Sequence, residues 1–310
     1  MDTIDKRSLV AIHCFVYNHE PYLRDCFEGF VMQQTNFPFV AVVHDDASTD
    51  GSAAIIREYE KKYPDIIKPI YETENQYSKH DGSLGRIMNA AIEATGAKYV
   101  AMCEGDDYWS DPLKLQKQVD FMEANPEYSL CFHPVMVLNQ GTGEMLPDTL
   151  RQVPDTTTIE DLALYSNYIH TPSVMYRYNR EVSLLMSQMG RIAVGDYLQH
   201  MLYAQYGAIY KLPEYMAVYR SGVGVWTGPK SDSRRNGLTW IVVISKLSSI
   251  LYHKEGKAAL DEQIYEHVDD LVTLIHKLEK DAQSVRSTYA YRLGKFILAP
   301  FKKIKQLFKL

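Results

Sequence analysis

Polar residues able to bind a charged ligand follow three apolar stretches of the sequence, at the point where each stretch ends. The three groups are Val16-Tyr17-Asn18-His19, Asp45-Asp46-Ala47-Ser48 and Glu104-Gly105-Asp106-Asp107. If the stretches are parallel strands, these residues meet at the carboxyl edge of the sheet, where ligands of α/β proteins bind. Taken singly, each group is also explained by helix capping, because Asp and Ser commonly cap the helix after a strand. Two acidic groups at two strand ends favour a ligand site.

Clustered carboxylates cannot bind a diphosphate directly, because like charges repel strongly at contact distance. A divalent cation removes this conflict. Mg²⁺ or Mn²⁺ accepts one or two protein oxygens and completes its coordination with phosphate oxygens and water. Such a cation also neutralises the charge that develops on a departing diphosphate. The acidic groups therefore predict a site for Mn²⁺ or Mg²⁺ together with a diphosphate leaving group.

The elements that must position these groups follow from the hydrophobic pattern. Short apolar runs predict strands, and apolar residues at helical spacing predict the helices between them. This alternation predicts an α/β fold with a mostly parallel sheet. Asp111 and Pro112 are predicted to begin a helix as its N-cap and first residue. The predicted strands of the first half are Leu9–Val16, Phe39–His44, Ile66–Tyr71 and Tyr99–Cys103.

The second half of the sequence is less regular. Ser129–Leu138 and Ala208–Leu212 are predicted as strands, and Thr158–Tyr165 and Asp196–Tyr206 as helices. From about Leu238 to Ser284 the pattern is helical throughout.

The composition is that of an ordered globular protein of 310 residues, 46% of them hydrophobic and 23% charged. A formal net charge of -6 gives no support to a nucleic-acid-binding function. The four cysteines form no CxxC pair, and their surroundings predict buried, reduced thiols rather than disulfides or metal ligands. Met1–Ser8 lacks the apolar stretch of a signal peptide, and no apolar run approaches the length of a membrane span. We therefore expect a cytoplasmic protein.

Three stretches together resemble the family 2 glycosyltransferases of the GT-A fold. The stretches are His13-Cys14-Phe15-Val16-Tyr17-Asn18, His44-Asp45-Asp46-Ala47-Ser48-Thr49-Asp50-Gly51 and Glu104-Gly105-Asp106-Asp107-Tyr108-Trp109. The resemblance covers roughly residues 8–225. It implies a Rossmann-like, mostly parallel sheet flanked by helices, with a helical C-terminal extension. Residues 1–230 would be the catalytic domain, with a nucleotide-binding half at about 8–125 and an acceptor half at about 126–230, and residues 231–310 would be helical.

The resemblance also implies roles for individual residues in binding a nucleotide-sugar. Glu104 and Asp106 occupy the two acidic positions of the family's Asp-X-Asp motif, and the glutamate is a departure from it. Asp106 and Asp107 would bind the metal, whereas Glu104 would reach the ribose. Phe15, where many relatives have a small polar residue, and Tyr17 would contact the nucleotide, and Asp45 or Asp46 would bond the uracil and ribose. Arg86 and Asn89 are candidate donor contacts, with solvated helix positions as the alternative.

Two further motifs resemble the acceptor side of the family. Val194-Gly195-Asp196-Tyr197 is similar to its third acidic motif, so Asp196 would be the catalytic base that takes the proton from the acceptor hydroxyl. The alternative is a carboxylate that interacts with a helix N-terminus. Tyr219-Arg220-Ser221-Gly222-Val223-Gly224 resembles the loop that brings an arginine near the diphosphate, and a surface position is the alternative for Arg220. His170 is interpreted either as part of the acceptor pocket or as a loop histidine.

These observations predict an inverting glycosyltransferase that moves a sugar from a nucleotide-sugar, with UDP-sugars favoured, to a hydroxyl of a glycan or lipid-linked acceptor. The residues beyond Asp281 form a basic amphipathic tail that suits the cytoplasmic face of an anionic membrane. The alternative is a helix packed on its own protein.

Two other functions agree less well with the sequence. A sugar-nucleotide nucleotidyltransferase would show a glycine-rich phosphate loop after the first strand, where this sequence has Tyr17-Asn18-His19. A non-catalytic scaffold or glycan-binding relative would lose the acidic motif, yet Asp106, Asp107 and Asp196 are present.

Overall fold

The computed structural model describes residues 8–149, 152–188, 194–223 and 233–287. The chain divides into two compact units, residues 1–261 and 262–310. The sequence also makes predictions for residues outside the described ranges, namely the basic tail from residue 288 onward and the loop that begins at Gly224.

The larger sheet has eight strands and contains all three strands that end in the polar groups described above. Its first strands are almost wholly buried on both faces, as the continuous apolar runs predict for parallel strands covered by helices. In chain order the strands are β1 (Val10–Val16), β2 (Phe39–Asp45), β3 (Ile67–Tyr71), β4 (Tyr99–Met102), β6 (Tyr128–Phe132), β9 (Thr156–Thr157), β10 (Met175–Arg177) and β11 (Ala208–Lys211).

The order across the larger sheet is β3-β2-β1-β4-β10-β6-β11-β9. Strands β3, β2, β1 and β4 are parallel, whereas β10 is antiparallel to both β4 and β6. Strand β11 is again parallel to β6, and β9 pairs antiparallel with β11. The predicted mostly parallel α/β fold is therefore confirmed.

A smaller sheet packs beside the polar groups and was not predicted. It has the order β5-β12-β7-β8. The prediction of one strand over Ser129–Leu138 is wrong, because the chain leaves the larger sheet after Phe132 and enters the smaller one at Val135. Proline has no N–H to donate to a ladder, so Pro134 marks the break. The strands are β5 (Tyr108–Trp109), β7 (Val135–Asn139), β8 (Met145–Pro147) and β12 (Ala217–Ser221).

The first four helices each bury an apolar face against the sheets. In α1, Leu23, Cys26, Phe27 and Phe30 are buried at i, i+3, i+4 and i+7, which is the spacing of one helical face. The helices are α1 (Leu23–Val31), α2 (Ser52–Lys62), α3 (Ser83–Thr95), α4 (Lys114–Ala124), α5 (Ile159–Tyr165), α6 (Arg180–Gln188), α7 (Gly195–Ala204), α8 (Ser233–Ile250) and α9 (Lys254–Ser287).

Two predicted helix boundaries differ from the structure. Helix α4 begins at Lys114 rather than at Pro112, because the Asp111 carboxylate accepts the N–H of Leu113 in a turn that precedes the helix (2.8 Å). The helical C-terminal region is confirmed, but it is interrupted between Ile250 and Lys254. All four cysteines are buried and free, as predicted. Within the described residues, we find no helix with the length and apolar character needed to cross a membrane.

Candidate active site

The loops after β2 and β4 flank the carboxyl end of β1. The N–H of Asp46 donates to the carbonyl of Val16 (2.9 Å), and the N–H of Gly105 donates to the carbonyl of Phe15 (3.0 Å). Successive carbonyls of a strand point to opposite sides, so the two loops lie on either side of this strand end. The two predicted acidic groups therefore border one crevice over the end of β1.

The loop after β1 is joined to the loop after β2 by side-chain hydrogen bonds. Ser48 Oγ accepts the N–H of Asn18 (3.0 Å), and Asn18 Oδ1 accepts the N–H of Thr49 (2.8 Å). Asn18 has a positive φ of 57°, a conformation that asparagine adopts more readily than most residues. Part of each polar group thus builds the floor of the crevice.

The acidic loop between β4 and β5 carries three carboxylates whose hydrogen-bond partners differ. Among the described residues, none donates a hydrogen bond to the carboxylate of Glu104 or of Asp106, although Asp106 is only 9% exposed. Asp107 differs, because its Oδ1 accepts the backbone N–H of Arg220 (2.7 Å). The loop therefore presents Glu104 and Asp106 to the crevice and uses Asp107 to attach itself to β12.

The charges of this loop are crowded. Burial, followed by the charges of Asp106 and Asp196, raises the pKa of Glu104 to about 8. Burial, followed by the charge of Asp106, also raises the pKa of Asp107 well above its ordinary value. Carboxyl groups with raised pKa values in a crevice mark a place where a cation would be stabilised.

Gly105 allows the acidic loop to approach the loop after β1 closely. A Cβ at this position would lie 2.7 Å from His19 Nδ1 and 3.1 Å from side-chain carbons of Leu23 and Val16. The imidazole of His19 thus borders the acidic loop. Burial lowers the pKa of His19, and the charge of Asp106 partly opposes this shift. The glycine sets the position of the two carboxylates that flank it.

Arg220 lies behind the acidic loop and is only 4% exposed. Its Nη1 donates to the carbonyl of Asp106 (2.7 Å), and its Nη2 donates to the carboxylate of Asp25. The guanidinium also lies over the rings of Tyr108 (4.7 Å) and Tyr22 (5.1 Å). These contacts join the acidic loop, helix α1 and strand β12.

Asp45 and Asp46 are both buried at the end of β2. Asp45 Oδ1 accepts the N–H of Ser48 (3.1 Å). Both carboxylate oxygens of Asp46 accept backbone N–H groups, from Gln76 (2.5 Å) and Tyr77 (3.1 Å). Asp46 thereby holds the segment after β3, whereas Asp45 keeps one oxygen, Oδ2, for a ligand.

The two aromatic residues predicted to contact a nucleotide have different surroundings. Tyr17 is 46% exposed at the crevice edge. Phe15 is partly buried, with its ring edge-to-face against His13 (4.5 Å between centroids) and His44 (5.7 Å). Tyr17 therefore has a ring face available to a planar ligand, whereas Phe15 contributes mainly to the packing under the crevice.

Arg86 and Asn89 both lie on α3. Arg86 is exposed, and its Nη1 donates to the carbonyl of Asp81 (2.6 Å). Asn89 is partly buried and donates to the carbonyl of Ser183 on α6 (3.3 Å). No contact of either residue with the residues of the acidic loop is found in the described part of the chain.

Asp196 lies in the first turn of α7, after Val194 in a left-handed conformation (φ 60°). Its Oδ2 accepts a hydrogen bond from Asn167 Nδ2 (3.0 Å). Its charge is the smallest of the causes that raise the pKa of Glu104 in the acidic loop. One turn further along α7, His200 is fully buried and its Nδ1 lies 2.5 Å from the hydroxyl of Tyr176. Burial lowers the pKa of His200 to about 4, so the ring beside Asp196 is neutral.

His170 pairs with an acidic residue rather than standing alone in its loop. Its Nε2 lies 2.7 Å from Asp148 Oδ2, and its ring packs on Tyr219 of β12 (4.6 Å between centroids). Three residues that the sequence analysis did not single out therefore belong to this region. No sequence spacing links Asn167 to Asp196 or Asp148 to His170, so the sequence did not predict Asn167 or Asp148. His19 was considered only as part of the group Val16-Tyr17-Asn18-His19.

The carboxylate oxygens of the crevice are suited to binding a divalent cation. Asp106 offers carboxylate oxygens, and Asp107 offers Oδ2, that no described residue satisfies. Oxygen ligands are those that Mg²⁺ and Mn²⁺ prefer. Among the described residues, a separate group consists of Glu160, His253 and Glu255, whose ligand atoms lie within 4.8 Å of one another. That group includes none of the strand-end residues, and its members form ion pairs through His253.

Comparison with known proteins gives the family of the chain. The family model "Glycosyl transferase family 2" matches residues 12–183, more than half of the chain. The match includes the groups that follow β1, β2 and β4, whereas Asp196 and Arg220 lie beyond it. The Mycobacterium tuberculosis protein Rv1520 is 38% identical over 266 residues, which is 82% of this chain and 72% of that protein.

Solved structures with the same fold include S. aureus TarS, residues 1–349, in complex with UDP-GlcNAc. It has a TM-score of 0.57 and 18% identity over 84% of this chain and 71% of that one. The mannosyltransferase PcManGT from Pyrobaculum calidifontis, in complex with GDP-Man and Mn²⁺, has a TM-score of 0.57 and 17% identity over 98% of this chain and 89% of that one. The expected GT-A fold is confirmed, and the sequence match shows that the chain belongs to glycosyl transferase family 2.

Proposed function

We propose that the protein transfers a sugar from a nucleoside diphosphate sugar, with UDP-sugars as the favoured donors, to a hydroxyl group of a glycan or lipid-linked acceptor. The observation that carries the proposal is the pair of carboxylates on Glu104 and Asp106. In the described part of the chain no residue donates a hydrogen bond to either carboxylate, and both border the same strand end as Asp45. Structural relatives bound to UDP-GlcNAc and to GDP-Man with Mn²⁺ support this proposal.

Different residues around the end of β1 bind different parts of the nucleotide-sugar. Asp106 would hold Mn²⁺ or Mg²⁺, and Asp107 would contribute through Oδ2, because its Oδ1 is engaged by Arg220. When bound, the cation neutralises the charge of the departing diphosphate. Tyr17 stacks on the base, and Asp45 bonds the nucleoside through Oδ2. Glu104, close to Asp106, hydrogen-bonds the ribose.

Four other residues are assigned supporting or secondary roles in this proposal. Arg220 positions the acidic loop rather than contacting the diphosphate, because both of its terminal nitrogens already have protein partners. Asp46 holds the segment after β3 in place for the donor. Phe15 supports the base from below. Arg86 and Asn89 remain candidate donor contacts, and reaching the donor would require Arg86 to leave Asp81.

The transfer step uses Asp196 as the base. Asn167 holds Oδ2 of Asp196, which leaves Oδ1 to accept the proton of the acceptor hydroxyl. As the acceptor O–H bond breaks, its oxygen forms a bond to the anomeric carbon from the face opposite the diphosphate. The bond from that carbon to the diphosphate oxygen breaks, and the diphosphate leaves with the electron pair. A single displacement of this kind inverts the anomeric configuration.

We also propose which part of the chain catalyses the transfer and where in the cell the acceptor is met. We assign the catalytic role to residues 1–230 and place the acceptor at the cytoplasmic membrane face, where a growing cell-surface glycan carried on lipid would be met. The basic, apolar sequence of the tail supports this placement, since it combines lysines with large apolar side chains.

The proposal is tested by thermal unfolding with UDP and Mn²⁺. Because the cation joins the acidic loop to the diphosphate, UDP and Mn²⁺ together should raise the melting temperature far more than the sum of their separate effects. Asp106→Asn should remove this synergy. Asp120→Asn is the matched control, since Asp120 is exposed on α4 and its one side-chain hydrogen bond among the described residues is from Gln116 on its own helix. Equal responses of the wild type and Asp106→Asn would remove Asp106 from the metal site.

A panel of donors then identifies the nucleotide. Hydrolysis of UDP-, GDP- and dTDP-sugars is measured in the presence of Mn²⁺, and UDP release from UDP-sugars should be fastest. Absence of both synergy and donor hydrolysis would contradict the proposed activity as a whole.

A further inference from the structure

From Ile264 onward, α9 carries a line of apolar residues at regular sequence spacing. Its members, called the seam below, are Ile264, Val268, Leu271, Ile275 and Leu278, which follow one another at intervals of four, three, four and three residues. This alternation is the 3.5-residue repeat of a coiled coil, in which apolar a and d positions form a continuous line on one side of a slightly underwound helix.

Three of the five seam residues are exposed to solvent in the single chain, whereas Ile264 and Leu271 are partly buried. Val268 is 43% exposed, Ile275 53% and Leu278 52%. Val272 and Leu274, which flank the seam at the neighbouring e and g positions, are each 43% exposed. An apolar strip of this length in water is typical of a surface that binds another protein surface.

The residue types at the seam specify a second copy of this chain. Val268 and Ile275 occupy a positions, and Leu271 and Leu278 occupy d positions, with Ile264 at the d position before them. β-branched residues at a with leucine at d favour two parallel strands. In a parallel pair each seam residue lies beside the same residue of the other copy. The seams of two copies are therefore complementary to each other.

The charges of the same segment disfavour an anionic lipid surface as the occupant. Lys277 and Lys280 are its cations, and its acidic residues outnumber them. An anionic membrane would repel this excess of carboxylates. The acidic residues of the segment are Glu262, Glu266, Asp269, Asp270, Glu279 and Asp281.

We propose that the protein is a dimer in solution, held by a parallel coiled coil formed by the seam of each copy. The full chain should then sediment with twice its single-chain mass of 35.6 kDa. Ile275→Glu buries a charge in the centre of the seam and should return the protein to the single-chain mass. Thr273→Glu is the matched control, because position 273 is an exposed f position on the opposite side of the same turn, and it should keep the doubled mass.

Circular dichroism of the two variants separates loss of pairing from loss of folding. Both should keep the helix content of the wild type, and Ile275→Leu, which keeps the apolar character, should keep the doubled mass. A single-chain mass for the wild type, or a doubled mass for Ile275→Glu, would overturn the proposal.

Disulfide trapping tests the parallel orientation. Because the four native cysteines are buried, an introduced surface cysteine reacts without competition from them. Under mild oxidation, Leu278→Cys should form a covalent dimer, since a d position faces its own counterpart in a parallel pair. Lys280→Cys, at an f position, should not. Absence of cross-linking at position 278, or equal cross-linking at both positions, would contradict the parallel pair.

Removal of residues 288–310 tests whether the seam is covered by the tail instead. The truncated chain should keep the doubled mass in solution and the cross-link at position 278. A fall to the single-chain mass after truncation would contradict pairing through the seam alone.

Discussion

Asp196 is the residue whose surroundings most directly suit its proposed task. One of its carboxylate oxygens is held by Asn167, and the neutral His200 is its neighbour on α7. A base must be held in one orientation, and its basic lone pair must remain available to the acceptor. The hydrogen bond from Asn167 meets the first requirement. Oδ1, to which no described residue donates a hydrogen bond, meets the second.

Replacement of Asn167 is expected to slow transfer without weakening donor binding. Asn167→Ala should lower kcat roughly tenfold to a hundredfold, because Asp196 loses its fixed orientation. Asp196→Asn should lower kcat by about 100-fold to 10,000-fold, because the proton acceptor itself is lost. In both variants the KM for the donor and the UDP–Mn²⁺ synergy should stay close to the wild type. A rise in donor KM with unchanged kcat would assign Asn167 to donor binding instead.

Lys114 is a second residue with unusual surroundings. It is fully buried, its Nζ donates to Gln118 Oε1 (2.7 Å), and it lies over the ring of Trp109 (4.1 Å). Burial lowers the pKa of Lys114 from 10.5 to about 7. Between these two values the unfolded chain binds a proton that the folded chain does not, so this group makes the folded state more stable as pH rises.

This linkage gives a measurable pH dependence. From about pH 7 toward pH 10, the free energy of unfolding of the wild type should rise relative to that of Lys114→Met, by a few kcal/mol at most. Below pH 7 the difference should be constant, because both states then carry the proton. Lys117→Met is the control, since Lys117 is partly exposed and paired with Asp111. Chemical denaturation at several pH values measures the difference, and parallel curves for wild type and Lys114→Met would contradict the expectation.

The site residues that sequence could predict are those whose position follows from a strand end. Glu104, Asp106 and Asp45 were placed together because β1, β2 and β4 were recognised as neighbours of one sheet. Arg220 shows what could not be predicted. Its residue type suggested an anion contact, but only the fold reveals that Asp25 and the carbonyl of Asp106 already occupy its guanidinium.

At the scale of elements, the acidic loop depends on close packing against the loop after β1. Gly105→Ala would place a Cβ 2.7 Å from His19 Nδ1, so a neighbouring group must move. We expect a loss of about 1–3 kcal/mol in the free energy of unfolding, together with weaker UDP–Mn²⁺ synergy, because the carboxylates on either side of Gly105 shift.

Gly85→Ala provides the matched control for this substitution. Gly85 lies inside α3 with nothing within 4 Å of an added Cβ. Alanine is favoured over glycine in a helix by about 1 kcal/mol, so the melting temperature should rise and the synergy should not change. Equal effects at the two glycines, measured by thermal unfolding with and without UDP and Mn²⁺, would contradict the packing argument.

The strands and helices of the first half could be predicted because each has a continuous apolar run or one apolar face. The second sheet could not. Its strands β5 and β8 are two and three residues long, and β7 was merged with β6 because both are apolar. The tertiary contacts of β12 with β5 and β7 determine these short strands, and a local pattern does not contain that information.

At the scale of the whole molecule, the remaining prediction is that the basic tail binds anionic membranes. In the proposed function, the basic amphipathic sequence after Ser287 contacts anionic lipid. Deleting residues 289–310 should therefore abolish co-sedimentation with phosphatidylserine-containing vesicles. Replacing Lys302, Lys303 and Lys305 by glutamine should weaken it while the apolar residues remain. Unchanged co-sedimentation of the truncated chain would place the membrane contact elsewhere.

The large-scale organisation was accessible from sequence. The α/β alternation and the helical C-terminal region were predicted from periodicity alone. The boundary at residue 230, which followed from where the family resemblance ends, stays a prediction. The compact units of the structure divide after residue 261, inside α9. Periodicity identifies a helix, but it does not tell which compact unit each of its turns joins.

The smaller sheet has a consequence for the position of the acidic loop. Residues 103–107 connect the last residue of β4, in one sheet, to the first residue of β5, in the other. From β12, Arg220 donates through Nη1 to the carbonyl of Asp106, and its backbone N–H donates to Asp107 Oδ1. A displacement of β12 would therefore also displace the carboxylates of this connection, so the two sheets together fix where the charged side chains lie.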